Sequence, residues 1–326
     1  MQVSRNKVVV LATGGTIAGT AADPRDNIGY RAAQLGIAEL LAAVPALQGL
    51  PLVAEQVAQI DSKDMSFDIW RTLALRCGHW LAQDDVCGLV ITHGTDTLEE
   101  TAFFLQSVLA PAKAVVLTCA MRPATALVPD GPQNLVDAVA VASTPGARGV
   151  VAVCAGTIHG AFDVAKQHTW RLDAFSSGDA GPIGYVEEGA VRRLRDWPGR
   201  DGDRPLGLDE LSGVLRWPRV EIVMSHAGAG RAVVDALVAQ GVDGLVVAAT
   251  GNGTVHHELE LALRQAQAGG IKVLRATRCA QGRILAHPDN ALPEAGALSP
   301  VKARVRLMLE LLRRPLRSRA PASPGR

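Results

Sequence analysis

The chain has 326 residues, 33 of them Lys or Arg and 32 Asp or Glu, for a formal charge of +1, with 48% apolar and 4% aromatic residues. Near-neutrality argues against a general nucleic-acid binder, which needs a basic surface to displace counterions, and the apolar fraction excludes a disordered chain. At about 150 residues per domain, the length predicts two domains.

Strand and helix patterns alternate from the start. Lys7–Ala12 is an apolar run ending in a Gly pair, and Gln34–Val44 has helical spacing. Leu52–Val57 reads as a strand, Phe67–Leu81 as a helix and Gly88–Thr92 as a buried strand. Leu98–Leu109 reads as a helix, Ala114–Thr118 as a strand, Asn134–Ala142 as a helix and Gly149–Val153 as a strand. This alternation predicts an α/β fold with a mainly parallel sheet flanked by helices. The rhythm then breaks into short strands or hairpins at Ile158–Val164, Trp170–Phe175 and Tyr185–Val191. Arg192–Pro218 is rich in Arg, Asp, Gly and Pro, which places a linker at 193–218 after an N-terminal domain at 1–192. A smaller C-terminal α/β domain is expected over 219–313. Its strands are Val220–Met224, Gly244–Ala248 and Lys272–Arg275, and its helices Val233–Val238, Glu258–Ala266 and Pro300–Leu312. The tail at 314–326 reads as disordered.

The five cysteines, at 77, 87, 119, 154 and 279, are odd in number and show no C-x-x-C spacing. That argues against a disulfide framework or zinc site and for a reducing compartment. Val8–Ala12 is too short for a signal-peptide core. No stretch approaches 18 apolar residues, since the nearest, Val108–Met121, contains Pro111 and Lys113. A cytoplasmic protein with no membrane association is expected.

Two segments are overdetermined. Ala12-Thr13-Gly14-Gly15-Thr16-Ile17-Ala18-Gly19 follows the first strand, where glycines let the backbone turn sharply and approach a ligand. Thr92-His93-Gly94-Thr95-Asp96-Thr97-Leu98-Glu99-Glu100 follows the Gly88–Thr92 strand and opens a helix. Both project hydroxyls from the carboxyl ends of strands, where open parallel sheets bind ligands. The first segment fits neither G-x-G-x-x-G nor the phosphate-binding G-x-x-x-x-G-K-[ST] loop. Helix capping by Thr95 or Asp96, with Glu99 near the capping-box position, explains part of the second but not all of it.

These segments resemble the two signature motifs of the bacterial-type asparaginase/glutaminase family. Further similarities follow in the same order: Asp61-Ser62-Lys63-Asp64-Met65, Ala120-Met121-Arg122-Pro123, Asp130-Gly131-Pro132, Asp163-Val164-Ala165-Lys166, Gly251-Asn252-Gly253 and Leu298–Val305. The resemblance spans roughly residues 7 to 313. It implies hydrolysis of L-asparagine to L-aspartate and ammonia, with some glutaminase activity, through an acyl-threonine intermediate and without cofactor or metal. It implies Thr16 as nucleophile, Tyr30 beside it on a loop, and a proton-relaying trio of Thr95, Asp96 and Lys166. Ser62 and Asp96 are implied to hold the α-carboxylate and α-amino groups. The Gly15 backbone and the Thr95 peptide N–H are implied to bind the oxyanion, and the Ala120 carbonyl to receive the leaving nitrogen. Asn252 matches a residue reaching a neighbouring subunit's site, which implies a homotetramer built of close dimers.

Lys63 departs from the Gln common at this substrate-binding position and would put like charge near the substrate ammonium, so either its head group swings to solvent or the substrate preference differs. No clear match exists for the Glu that some members send across the interface, because Gln281–Pro293 is short. Of the remaining candidates, His256-His257 reads as exposed residues at a helix start rather than metal ligands. His93 reads as a structural hydrogen-bonding group, Cys119 and Cys154 as core, and Arg122 as a partner for a carboxylate. Rival readings are a non-catalytic amino-acid sensor on the same fold and an amidase subunit of an amidotransferase. The sensor predicts loss of Thr16, Thr95 or Lys166, and all three are present.

Overall fold

Runs of small aliphatic and β-branched residues with uncharged interiors build the central strands. In the computed structural model, which describes residues 6–199, 206–287 and 292–313, β1 (Lys7–Gly14) leads through α1 (Ile37–Ala42) to β2 (Leu52–Ile60) and α2 (Phe67–Leu81). There follow β3 (Val86–Thr92), α3 (Leu98–Leu109), β4 (Ala114–Thr118), α4 (Gly131–Ser143) and β5 (Gly149–Cys154). These five strands pair in parallel in the order β2-β1-β3-β4-β5.

The break in rhythm after β5 is real and antiparallel. β6 (Thr157–Gly160) pairs with β5, and a small ribbon of β7 (Ala165–Lys166) and β8 (Phe175–Ser176) stands apart. The hairpin of β9 (Gly184–Glu187) and β10 (Ala190–Arg193) completes an eight-stranded sheet beyond β6. Val8, Val10 and Ala12 of β1, Val90, Val116 and Val151 pack in one core with Leu135, Ala138 and Ala142 of α4. The alternate residues Val9, Leu11, Leu89, Ile91, Val115 and Leu117 are equally buried. Burial on both faces is why these strands read as unbroken apolar runs.

The expected helix at Gln34–Val44 shortens to Ile37–Ala42. Gly36 is its N-cap, and Pro45 opens a separate short turn just beyond it. Of the expected linker, residues 200–205 lie outside the described residues, as does the tail at 314–326. The rest is not all coil, because α5 (Leu208–Ser212) packs on α2 with Leu211 fully buried. A Cβ added at Gly78 would stand 2.1 Å from Leu208 Cδ1, so the glycine admits this helix. The chain folds as two compact units, Met1–Ser212 and Gly213–Arg326.

The second unit alternates β11 (Val220–Met224), α6 (Ala232–Ala239), β12 (Gly244–Ala249), α7 (His257–Ala268), β13 (Lys272–Thr277) and α8 (Pro300–Leu312). Its three strands are parallel, and α8 packs on all of them. Among the described residues no helix is long and apolar enough to cross a membrane.

Strand order places the first unit's site. From β1 the chain steps outward to β2 on one side, then returns to β3 on the other and continues to β4 and β5. The connections after β1 and β3 lead to strands on opposite sides of this pair, the switch point at whose carboxyl ends open parallel sheets bind ligands.

Candidate functional site

The register of β1 and β3 sets Ala12 opposite Thr92, so the two signature segments leave the sheet side by side. Gly14 and Gly15 adopt φ of 105° and 84°, a region that L side chains rarely enter. A Cβ at Gly15 would lie 2.4 Å from the Gly94 backbone, and one at Gly94 would lie 2.5 Å from Ser62 Oγ. Three segments, following β1, β2 and β3, thus meet through atoms that leave no room for a methyl group.

This contact gathers the expected side chains. Thr16, Tyr30, Ser62, Thr95, Asp96 and Lys166 line one cavity of about 230 Å³. Thr16 begins a buried turn. The loop beyond it closes through paired Thr20 and Arg31 backbone bonds, and this brings Tyr30 Oη to 2.6 Å from Thr16 Oγ1. Lys166, on β7, donates from Nζ to Thr95 Oγ1 at 2.7 Å and to Asp96 Oδ1 at 2.6 Å. Its backbone N–H donates to Glu99 Oε1 at 3.3 Å. Ser62 Oγ accepts from the Asp96 N–H at 3.2 Å, and Ser62 O accepts from Thr97 Oγ1 at 2.8 Å.

The expectations for the α3 N-cap and for Arg122 need correction. The N-cap of α3 is Thr97, not Thr95 or Asp96, because the turn continues past Asp96 before the helix begins; both residues are left for the cavity. Lys63 is turned out of the cavity wall. Its ammonium lies 2.6 Å from Asp61 Oδ2 and 3.5 Å from Asp64 Oδ2, and its hydrogen bond with Asp61 raises its pKa. Asp61 itself lines the cavity. Among the described residues the Arg122 side chain pairs with no carboxylate; its Nη1 donates to Val128 O. The nearby Asp130 carboxylate is engaged instead by the backbone N–H groups of Met121 and Arg122, at 2.9 Å each.

Gly15 and Ala120 directly precede the lining residues Thr16 and Met121 in the chain and are not themselves among the lining residues. The Cys119–Arg122 turn that carries Ala120 is fixed by Asp130 and by Asn134 Nδ2, which donates to Cys119 O at 2.9 Å. Asn252 belongs to the second unit, where its Oδ1 accepts from the Leu285 N–H at 2.7 Å. His256 caps α7 through its own ring nitrogen, and the described residues hold no cluster of three His, Cys, Asp or Glu side chains able to bind a metal. Cys119 and Cys154 are buried, free and 3.1 Å apart at sulfur, and that contact together with burial pushes the Cys119 thiol pKa up.

Sequence reading missed Asn27, Ile28, Thr169 and Trp170, which also line the cavity. Asn27 Oδ1 is buried there without a hydrogen-bond partner among the described residues. Its place in the loop between Thr16 and Tyr30 was the available signal; Thr169 and Trp170 offered none beyond their closeness to Lys166.

His93 is fully buried. Its Nδ1 lies 2.7 Å from Gly94 O and its Nε2 lies 2.9 Å from Thr101 Oγ1, which in turn accepts from Trp70 Nε1 at 2.8 Å. Burial lowers its pKa to about 4.

Known proteins supply the comparison. Residues 7–198 match the family model described as Asparaginase, N-terminal, and residues 219–316 match the Glutaminase/Asparaginase C-terminal domain. The chain is 38% identical over 314 residues to L-asparaginase 2 of Escherichia coli, covering 93% of this chain and 88% of that protein. It is 37% identical over 313 residues to a glutaminase-asparaginase of Pseudomonas fluorescens, covering 93% and 86%. A probable periplasmic L-asparaginase of Haemophilus influenzae is 36% identical, with coverage of 93% and 88%. The crystal structure of a probable cytoplasmic L-asparaginase from Campylobacter jejuni superposes with a TM-score of 0.88 at 37% identity, covering 95% of this chain and 96% of that one.

Proposed function

This chain belongs to the asparaginase family, and from that premise we infer that it hydrolyses L-asparagine to L-aspartate and ammonia, with some glutaminase activity. The observation that carries this reading is the cavity itself, in which Thr16 with Tyr30 and Thr95 with Lys166 and Asp96 face a common space.

A threonine hydroxyl is a weak nucleophile until a neighbour takes its proton. Tyr30, 2.6 Å away, is the group through which that proton leaves. Thr16 Oγ1 attacks the side-chain amide carbon, and the carbonyl oxygen gathers negative charge. The Thr95 peptide N–H and the Gly15 backbone stabilise that oxyanion, and one such donor is worth roughly 3 kcal/mol in typical enzymes. The proton that left Thr16 by way of Tyr30 is delivered to the amide nitrogen, the C–N bond breaks and ammonia leaves past the Ala120 carbonyl. Water, its proton relayed through Thr95 and Lys166, attacks the acyl-threonine ester. The ester C–O bond breaks and a proton from the water ends on Thr16 Oγ1, which releases aspartate and frees Thr16. The Asp96 carboxylate holds the α-ammonium by charge, and Ser62 holds the α-carboxylate.

The same reading makes the protein a cytoplasmic homotetramer of close dimers, with Asn252 reaching a neighbour's site. The five free thiols support the compartment. The sensor alternative is not favoured, because Thr16, Thr95 and Lys166 are present and each is hydrogen-bonded in the cavity.

Ammonia release from asparagine, glutamine and a dipeptide amide, with Thr16→Ala alongside, tests this. Release from asparagine that disappears in the variant is expected. Wild-type rates in Thr16→Ala would remove the nucleophile, and no release from any substrate would favour the sensor.

A further inference from the structure

Among the buried titratable groups that the mechanism leaves unused, His93 lies nearest the reacting threonines in sequence. His93 sits inside the second signature segment and its side chain is shielded from solvent, yet both ring nitrogens have partners. The identity of those partners fixes its protons. The Trp70 indole N–H can only donate, and it donates to Thr101 Oγ1. Gly94 O can only accept, so His93 Nδ1, 2.7 Å away, carries hydrogen. A ring kept neutral by burial then has a bare Nε2, and the single Thr101 hydroxyl proton points to it across 2.9 Å. The chain of bonds runs in one direction: Trp70 to Thr101, Thr101 to His93, His93 to Gly94.

Its terminus matters because the Gly94 carbonyl and the Thr95 N–H belong to one peptide group. A hydrogen bond accepted by the carbonyl draws electron density through the resonant C–N bond and makes the N–H a stronger donor. Such polarisation strengthens the onward bond by roughly 10–30%. The bond also holds the plane of this peptide against rotation. The His93 backbone N–H is itself tied to Thr118 O at 2.9 Å, and Gly94 is pressed between Gly15 and Ser62.

We propose that His93 is a positioning residue for the reaction: fixed as its Nδ1–H form by Trp70 and Thr101, it aligns and polarises the Gly94–Thr95 peptide so that the Thr95 N–H meets the oxyanion. The inference rests on the amide-hydrolase reading above. It concerns charge that develops only as the tetrahedral intermediate forms, so its signature lies in kcat and not in KM.

Two amides separate the ring nitrogens. In His93→Asn the side-chain NH2 reaches the position of Nδ1 and still donates to Gly94 O. In His93→Gln the longer amide reaches the position of Nε2, serves Thr101 and leaves Gly94 O without its donor. Steady-state ammonia release should show kcat lowered roughly 3- to 10-fold in His93→Gln, with KM within about twofold of wild type, a fraction of the ~10²–10³ that a whole oxyanion donor supplies. His93→Asn should recover most of the loss. Thr101→Val lies outside the cavity lining and releases the ring from the far side, so it should lower kcat in the same manner. It also serves if the His93 variants fail to fold.

Equal kcat in wild type, His93→Gln and Thr101→Val would overturn the proposal. So would losses in which His93→Asn and His93→Gln suffer alike and KM rises with them, the mark of a merely structural residue. Failure of the parent reading looks different: wild type then releases no ammonia, or Thr16→Ala keeps releasing it.

Discussion

Acidification should unfold the N-terminal unit partly through one ring. His93 is fully buried, and loss of solvation lowers its pKa from 6.5 to about 4. In the unfolded chain the imidazole takes its proton near pH 6.5, while in the fold it refuses it until about pH 4. The unfolded state therefore binds more protons throughout that window, and stability falls as pH falls through it. Above pH 6.5 the contribution is complete. At about 1.36 kcal/mol per pH unit, the loss reaches roughly 2 kcal/mol at pH 5 and roughly 3 kcal/mol at pH 4. Urea unfolding followed by tryptophan fluorescence at pH 7.5, 6 and 5 measures it, with His93→Asn as the reference that lacks the titration. Wild type should lose about 2 kcal/mol more than the variant between pH 7.5 and 5. Parallel losses in the two proteins would refute the reasoning, because carboxylates titrating in both would then account for all of the acid sensitivity.

Other outcomes follow from the site. Tyr30→Phe removes the oxygen 2.6 Å from Thr16 Oγ1 and should lower kcat by about 10²–10⁴ with little change in KM; a variant within threefold of wild type would assign the proton to another group. Lys63→Gln should raise kcat/KM for free asparagine severalfold, chiefly through KM, since it releases Asp61 from its ion pair toward the cavity it lines; an unchanged ratio sinks this account. Gly15→Ala must set a methyl on the Gly94 backbone at φ 84°. It should destabilise the fold by roughly 3 kcal/mol, visible as a lower Tm with loss of ammonia release.

Most of the scaffold was legible because punctuation and period agreed. Phe67–Leu81 and Pro300–Leu312 carry Ser66 and Ser299 at their N-caps, each accepting a backbone N–H, and both helices match the sequence pattern end to end. Where punctuation competed with period, period lost, and the helical spacing of Gln34–Val44 collapsed to six residues between Gly36 and Ala43. The paired motifs were legible as chemistry, since capping could not account for Thr95 and Asp96 together. The cavity's wall was not. Asn27, Ile28, Thr169 and Trp170 reach it through loop paths that no periodicity encodes. The turn of Lys63 toward Asp61 depends on a local choice between two carboxylates and a substrate that only coordinates resolve.

The backbone contact between Gly15 and Gly94 also divides the protein into parts that can drift and parts that cannot. That contact, next in sequence to the lining residues Thr16 and Thr95, is main chain against main chain, so it offers selection no side chain to enlarge, shrink or recharge. The rim is the opposite: Ile28 and Trp170 are 80% and 57% exposed and sit on loops that tolerate exchange. Laboratory evolution toward bulkier amides should therefore collect its substitutions at these rim positions and return the two glycines untouched, with the chemistry they frame inherited whole by every new specificity.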